Sequence, residues 1–273
     1  MHHHDHWNGY GYSETPTTKL MDSVVLIGAG RLAFHLGAAL DSGGFNLLGL
    51  YNRTTDSGKE LSEALDTQQF LSYSEIPLDA DLYLIAVSDQ AVEEVAESLP
   101  EVSGIVCHTS GSVDIDALSK HQNRGVFYPL QTFSRRKAVN FQEIPLLVEG
   151  NTKESEEALL GAAARISHRV ERVDSFQRPQ LHVAAVFACN FSNHMYTLAE
   201  QLMKQRGLKF DLLHPLIVET TEKALQQGPS SSQTGPAVRN DEQTINKHLS
   251  LLDDPQWKEL YTLVTQSIQK KKK

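Results

Sequence analysis

Six consecutive residues carry the clearest chemical signal in this chain: Gly28-Ala29-Gly30-Arg31-Leu32-Ala33 fits G-x-G-x-x-A. At that spacing Gly28 permits a tight turn, Gly30 lets backbone approach a pyrophosphate, and Ala33 keeps the following helix close to a sheet. The helix N-terminus adds amide donors and the positive end of a dipole. The chemistry implied is the holding of a dinucleotide. The hexapeptide alone is weak, and its setting gives it force. A β-branched apolar run (residues 24–27) precedes it, and residues 32–40 follow with helical apolar spacing. The alternative is a glycine turn used only for packing.

The end of the next strand decides which dinucleotide is expected. An acid there would hold a ribose 2′-hydroxyl, whereas an Arg suits a 2′-phosphate. The chain reads Tyr51-Asn52-Arg53-Thr54, with no acid before Asp56. Arg53 offers a planar, charge-assisted fork, and Asn52 and Thr54 add neutral donors. NADP(H) is therefore favoured over NAD(H); the alternative is a surface Arg that happens to follow a strand. Two further strand ends, Ala86-Val87-Ser88-Asp89 and His108-Thr109-Ser110-Gly111-Ser112, should face the same ligand, because ligands in open α/β sheets lie outside the carboxyl ends of strands. Val87, Ser88 and Asp89 are expected near the ribose, with Ser88 and Asp89 also capping the next helix. His108 and Thr109 are expected at the cofactor, and Ser110 and Gly111 at the nicotinamide or substrate. His108 is equally readable as a packed residue.

The elements that must position these residues alternate. Strand-like runs at residues 24–27, 45–51, 70–73, 81–87 and 104–108 are interleaved with helical spacing at 32–40, 58–65 and 91–99, and shorter strands are expected at 125–128 and 145–148. This pitch predicts a doubly wound parallel sheet, an α/β Rossmann domain over residues 21–150. After Thr152 the pattern turns mainly α-helical, with one more candidate strand at 168–173, a long apolar helix over 179–206, and helices at 212–225, 241–252 and 255–268. Residues 151–273 are therefore expected to form a helical second domain. Residues 1–20, rich in His, lack an apolar signal core and are expected to be a disordered leader or tag. The terminal lysines are expected to be solvated.

At 273 residues, with 40% hydrophobic and 22% charged residues, the chain has material for two cores. A net charge of −9 argues against a nucleic-acid partner. No apolar run approaches the roughly 20 residues of a membrane span. Cys107 and Cys189 sit singly in apolar segments and are expected to be buried thiols of a reducing cytoplasm. Neither has metal-site spacing.

Four longer motifs carry a family resemblance: Cys107-His-Thr-Ser-Gly-Ser, Tyr128-Pro-Leu-Gln-Thr-Phe-Ser, the stretch from Leu181 through Asn190 to His194, and Gln233-Thr-Gly-Pro-Ala-Val-Arg-Asn-Asp. Over residues 23–268 the chain resembles the family that joins a Rossmann-like domain to a DUF2520 domain, whose members are named as NADP oxidoreductases. That family is similar to pyrroline-5-carboxylate reductases, to F420-dependent NADP reductases in its first domain, and to 6-phosphogluconate-dehydrogenase-like proteins in its C-terminal helical domain. The resemblance implies a site between the domains and a homodimer formed through the helices. It also implies a substrate-carboxylate clamp from Gln233, Thr234 and Gly235, to which Arg239 could add a charge. The alternative is an interhelical loop held by an Arg239–Asp241 contact. Gln131 and Thr132 could line the same pocket.

On the long helix, a regular 100° step puts His182, Val186, Cys189, Asn193 and Tyr196 in one stripe, with Asn190 at its edge. His182 and Asn193 are about 16 Å apart along the rise, too far to serve one reacting atom. Hydroxyacid dehydrogenases of related architecture carry a Lys four residues before an Asn. Aligned on Asn190, that place is Val186, so their proton donor is missing. His182, which exchanges protons near neutral pH, a hydroxyl such as Ser110, or bound water is the substitute; the alternative for His182 is a hydrogen-bonded interfacial His.

Taken with the resemblance, these residues predict an NADP(H)-dependent oxidoreductase acting on a small polar C=O or C=N compound in an interdomain cleft, with His182, Asn190 and Ser110 as catalytic candidates. Gly111, Gln131, Thr132, Asn193, Gln233, Thr234, Gly235 and Arg239 are the candidate substrate contacts. Two alternatives stay open: a non-catalytic NADP(H)-binding sensor or interaction protein, and an F420-dependent oxidoreductase.

Overall fold

The computed structural model describes residues 21–135 and 137–270. The expected leader and the last three lysines lie outside them.

Short apolar runs become strands and amphipathic runs become helices, alternating over the first five elements. The order is β1 (Ser23–Ile27), α1 (Arg31–Ser42), β2 (Asn46–Tyr51), α2 (Thr55–Ala64), β3 (Gln69–Phe70), β4 (Leu82–Ile85), α3 (Val92–Ser98) and β5 (Ile105–His108). Then follow β6 (Arg124–Pro129), β7 (Leu146–Gly150), α4 (Lys153–Ala164) and β8 (Val170–Arg172). They form one eight-stranded sheet in the order β3-β2-β1-β4-β5-β6-β7-β8. All pairs are parallel except β6 with β7. The order reverses between β1 and β4, which makes the crevice above those two strands the switch point where such sheets bind ligands.

Because side chains alternate along a strand, each central strand feeds two cores. Val24 and Leu26 of β1, with Leu82 and Leu84 of β4, pack on one face with α1 and α4 residues such as Leu36 and Leu159. Val25, Ile27, Tyr83 and Ile85 point the other way, onto Val92 and Ala96 of α3. β3 is shorter than the run at 70–73 predicts. Glu75 Oε2 accepts the Leu71 amide at 2.9 Å and curls the chain into a single 3-10 turn over Tyr73–Glu75.

The chain divides into two compact units, one ending at Asn190 and the other beginning at Phe191. The first contains the whole sheet and α5 (Gln177–Ala185). The second contains α6 (Ser192–Gln205), α7 (His214–Gln227), α8 (Pro236–Arg239), α9 (Glu242–Leu251) and α10 (Pro255–Lys270). The single regular helix expected over 179–206 is interrupted, since Val186–Phe191 forms a π-helical segment between α5 and α6. A π turn spends an extra residue per turn. The regular count that aligned His182, Val186, Cys189, Asn193 and Tyr196 therefore fails at Val186. Cys107 is buried as expected, but Cys189, on the π segment, is exposed. No helix among the described residues is long and apolar enough to cross a membrane.

Candidate functional site

The glycine turn sits at the switch point. Gly28 has φ +117°, and a Cβ there would lie 2.3 Å from the Ala86 carbonyl oxygen at the end of β4, so only glycine fits. Its amide donates to the Tyr51 carbonyl at 2.8 Å, which ties the ends of β1 and β2 together. Gly30 differs: a Cβ there would meet nothing within 4 Å. The space beside it is open. Gly30 is the N-cap of α1 and provides no side-chain cap, so the amides of Arg31, Leu32 and Ala33 have no partner within the helix. Ala29 and Ala33 are buried, and Ala33 lets α1 lie against the sheet. Open backbone, uncapped first-turn amides and a helix dipole make a cradle for a phosphate group, so the residues present fit a dinucleotide.

Beyond β2, Asn52 Nδ2 donates to the Thr54 carbonyl at 2.8 Å, and Thr54 is the N-cap of α2. Asn52 thus shapes the turn, while Arg53 is exposed and makes no hydrogen bond or ion pair among the described residues. A second cation reaches the glycine turn from far along the chain. Arg135 Nη2 donates to the Ala29 carbonyl at 3.2 Å, and its Nη1 lies 2.9 Å from both carboxylate oxygens of Glu60 on α2.

Val87 is half-buried against Gly28. Ser88 occupies an N-cap position but makes no side-chain cap. Asp89 does not cap either; it accepts the Ser112 hydroxyl at 2.5 Å, binding the β4 and β5 ends together. Within the loop after β5, Ser110 Oγ accepts the amides of Ser112 and Val113, both at 3.1 Å. Thr109 Oγ1 donates to the Ile85 carbonyl at 3.3 Å. Both hydroxyls are buried and serve the loop's own geometry.

His108 is wholly buried, and its Nδ1 accepts the Ser110 amide at 3.1 Å, which leaves the ring proton on Nε2. Burial, assisted by the positive Arg178, pushes its pKa down to about 4. The ring is therefore neutral at physiological pH.

Arg178 is the largest fully buried side chain. Nη1 donates to Glu149 Oε2 at 2.5 Å, and Nη2 donates to the Val113 carbonyl at 2.6 Å and to Ser175 Oγ at 3.1 Å. Ser175 in turn donates through its hydroxyl to the same Glu149 oxygen at 2.8 Å. This network pins the start of α5 to β7 and to the β5 loop. One helical turn later, His182 Nδ1 stands 3.2 Å from the Tyr128 hydroxyl at the end of β6. Gly111 lies under that pair: a Cβ there would approach His182 Nδ1 to 2.6 Å and the Tyr128 hydroxyl to 2.8 Å. Burial raises the Tyr128 pKa, with the Asp89 carboxylate adding to it, so the phenol keeps its proton. His182 and Tyr128 are both half-buried, and together they form an accessible pair able to hold or pass one proton.

The remaining expected residues are scattered. Gln131 and Thr132 are exposed, with Gln131 Oε1 accepting the Thr132 amide at 2.7 Å. Asn190 is exposed at the end of the first unit. Asn193, Gln233, Thr234, Gly235 and Arg239 all belong to the second unit. There Gly235 takes φ +108° as the N-cap of α8, and Gln233 Nε2 donates to the Thr234 carbonyl at 3.2 Å. Asp241 accepts the Thr244 amide and hydroxyl, capping α9. That backbone bond is the main cause of its lowered pKa, ahead of Arg239.

Sequence reasoning missed Tyr128, Arg135 and Arg178. Tyr128 and Arg178 had a usable signal: a tyrosine closing a strand, and an Arg one turn before the candidate His on an apolar helix. Arg135 had none, since its contact with Ala29 spans 106 residues.

Comparison with known proteins agrees with this architecture. Residues 13–132 match the Rossmann-like domain family, and residues 144–268 match the domain of unknown function DUF2520. The crystal structure of a "putative NADP oxidoreductase" from Bacteroides fragilis is 40% identical, with a TM-score of 0.83 over 91% of this chain and 98% of its own. A 1-pyrroline-5-carboxylate reductase from Streptococcus pyogenes shares the fold at 14% identity and TM-score 0.59, over 91% of this chain and 98% of its own. So does a reductive aminase from Aspergillus terreus, in complex with NADPH and ethyl-5-oxohexanoate, at 13% identity and TM-score 0.67, over 92% and 94%. No curated protein matches the chain. The motifs around Cys107, Tyr128, Asn190 and Gln233, the two domain matches and the Bacteroides relative agree: this chain belongs to the family that joins a Rossmann-like domain to a DUF2520 domain.

Proposed function

We propose that this chain is an NADP(H)-dependent oxidoreductase that reduces a small polar compound at a C=N or C=O bond. The observation that carries the reading is the uncapped start of α1, with Gly30 facing open space at the switch point between β1 and β4. The Bacteroides relative's name supports the same class. Arg53, charged and unengaged among the described residues, is the group for a 2′-phosphate. When bound, the nicotinamide supplies or accepts the hydride. The proton for the nitrogen or oxygen comes from the Tyr128–His182 pair, which Gly111 fixes from below and Arg178 holds by anchoring α5. Ser110 Oγ accepts two amides and keeps the loop in shape, so this reading assigns the proton to the Tyr128–His182 pair instead.

A titration of purified protein with NADPH and NADH tests the reading. NADPH should bind about tenfold tighter or better, the worth of one charge-assisted contact, and Arg53→Ala should remove that preference. Negligible binding of both would end it. Tight binding with no NADPH oxidation across a panel of imines and carbonyls would favour a sensor without turnover.

The second unit is proposed to be covered by a second copy of the chain. Among its described residues only Ala237 and Thr265 are buried, while Met195, Leu198, Leu202, Trp257, Leu260 and Val264 line an apolar groove. Helices with so little core of their own need an external face to bury. Light scattering should give twice the chain mass, and a monomer at micromolar concentration would refute the pairing.

A further inference from the structure

We infer that Arg135 is a pyrophosphate ligand held in reserve by Glu60, so that the two residues form an electrostatic latch on the glycine turn; this rests on the dinucleotide reading above. Three observations meet at this point. Arg135 Nη2 touches the Ala29 carbonyl, inside the turn that a pyrophosphate would cross. Its Nη1 is shared between both oxygens of Glu60. Gly30, the next residue of the turn, faces open space.

The guanidinium has five N–H donors, and these contacts use at most three. It therefore has capacity for a further acceptor without leaving the turn. The ion pair is also easily opened, because Arg135 is 43% and Glu60 67% exposed in their side chains. Such pairs contribute little to stability. An incoming diphosphate offers more negative charge and a bidentate geometry, and Arg135 should exchange partners toward it. Glu60 has the opposite sign of effect. An acid this close to the turn opposes a dianionic ligand unless Arg135 neutralises it. With no ligand, Glu60 holds the guanidinium beside the turn; with ligand, it competes for it.

This assignment separates two cations by what they touch. Arg53 follows β2 and should read only the 2′-phosphate. Arg135 contacts the turn itself and should act on any dinucleotide.

The test is a calorimetric titration of wild-type, Arg135→Ala, Glu60→Gln and Arg53→Ala proteins with NADPH, NADH and ADP-ribose, with thermal unfolding of each unliganded protein alongside. Arg135→Ala should weaken all three ligands by about tenfold or more, as expected for one lost charge-assisted contact. Glu60→Gln should hold or tighten each affinity, and Arg53→Ala should weaken NADPH alone. A wild type that binds none of the three sinks the dinucleotide reading. If the wild type binds, unchanged affinity in Arg135→Ala overturns the latch. A loss confined to NADPH in Arg135→Ala, or equal weakening by Arg135→Ala and Glu60→Gln, overturns it too, the latter marking a purely structural clip.

Discussion

Up to Asn190, strands bury side chains on both faces of the sheet, and Val24, Leu26, Leu84 and Phe127 are wholly covered. From Phe191 onward, by contrast, Leu216 is 62% exposed, Leu225 82% and Val264 45%. The first unit carries its own core, so it can hold polar groups at fixed distances: a buried Arg178, a neutral His108, a glycine turn with no spare room at Gly28. The second has amphipathic helices whose apolar sides are little covered by the described residues of that unit. A site that depends on fixed geometry suits the first unit; the exposed apolar surface of the second suits the proposed contact with another copy.

The largest test of this contrast breaks the first unit from within. In Glu149→Gln, the fully buried Arg178 loses its counter-charge, and removing one partner of a buried pair costs about 3–5 kcal/mol. Urea unfolding should register this as a lower midpoint. The Tyr128–His182 contact should loosen with it, since Arg178 anchors the helix that presents His182. A loss below about 1 kcal/mol would mean that the pair is solvated and the core is not self-sufficient there.

A second test uses protons. The His108 pKa is near 4 in the folded chain, against about 6.5 when unfolded. Between those values the unfolded chain binds a proton that the folded chain refuses, so stability falls as pH drops from 6.5 toward 4. Over the full window the loss is on the order of 3 kcal/mol. Comparing wild type with His108→Asn at pH 7 and pH 4.5 isolates it: the variant should lose much less on acidification. Equal losses would place the acid sensitivity elsewhere.

The contrast between the units also explains what could be read from sequence. The sheet was legible because buried strands are short apolar runs with turn residues at their ends, as at residues 24–27 and 104–108. The glycine turn was legible because its spacing encodes local backbone geometry. The π segment at Val186–Phe191 was not, because apolar residues continue through it without a proline or glycine to mark a change of pitch. Cys189 was misplaced because the apolar residues around it, Val183, Phe187 and Phe191, are exposed as well. The engagement of Asp89 by Ser112 depends on where two loops meet, and the reach of Arg135 to Ala29 depends on the path of the chain after β6. Pattern alone encodes neither.

Val264→Glu tests the second unit. Val264 lines the apolar groove, and a charge at an exposed site should leave the fold of a lone chain nearly unchanged. If a second copy fills the groove, the apparent mass should halve and thermal unfolding should lose its dependence on protein concentration. A variant that keeps the wild-type mass would exclude this groove from the contact.

The smallest expected effect sets the boundary of that covered face. Leu225 lies on α7, is 82% exposed, and is not among the residues lining the groove. If cover is confined to the groove, Leu225→Ala removes a side chain that is solvated in both folded and unfolded chains. The change in stability should then stay within about 0.5 kcal/mol. Cover extending over α7 would bury Leu225, and truncation would cost about 2 kcal/mol or more, as in an ordinary core. Chemical unfolding of Leu225→Ala beside Val264→Glu thus fixes how far the unfinished surface reaches.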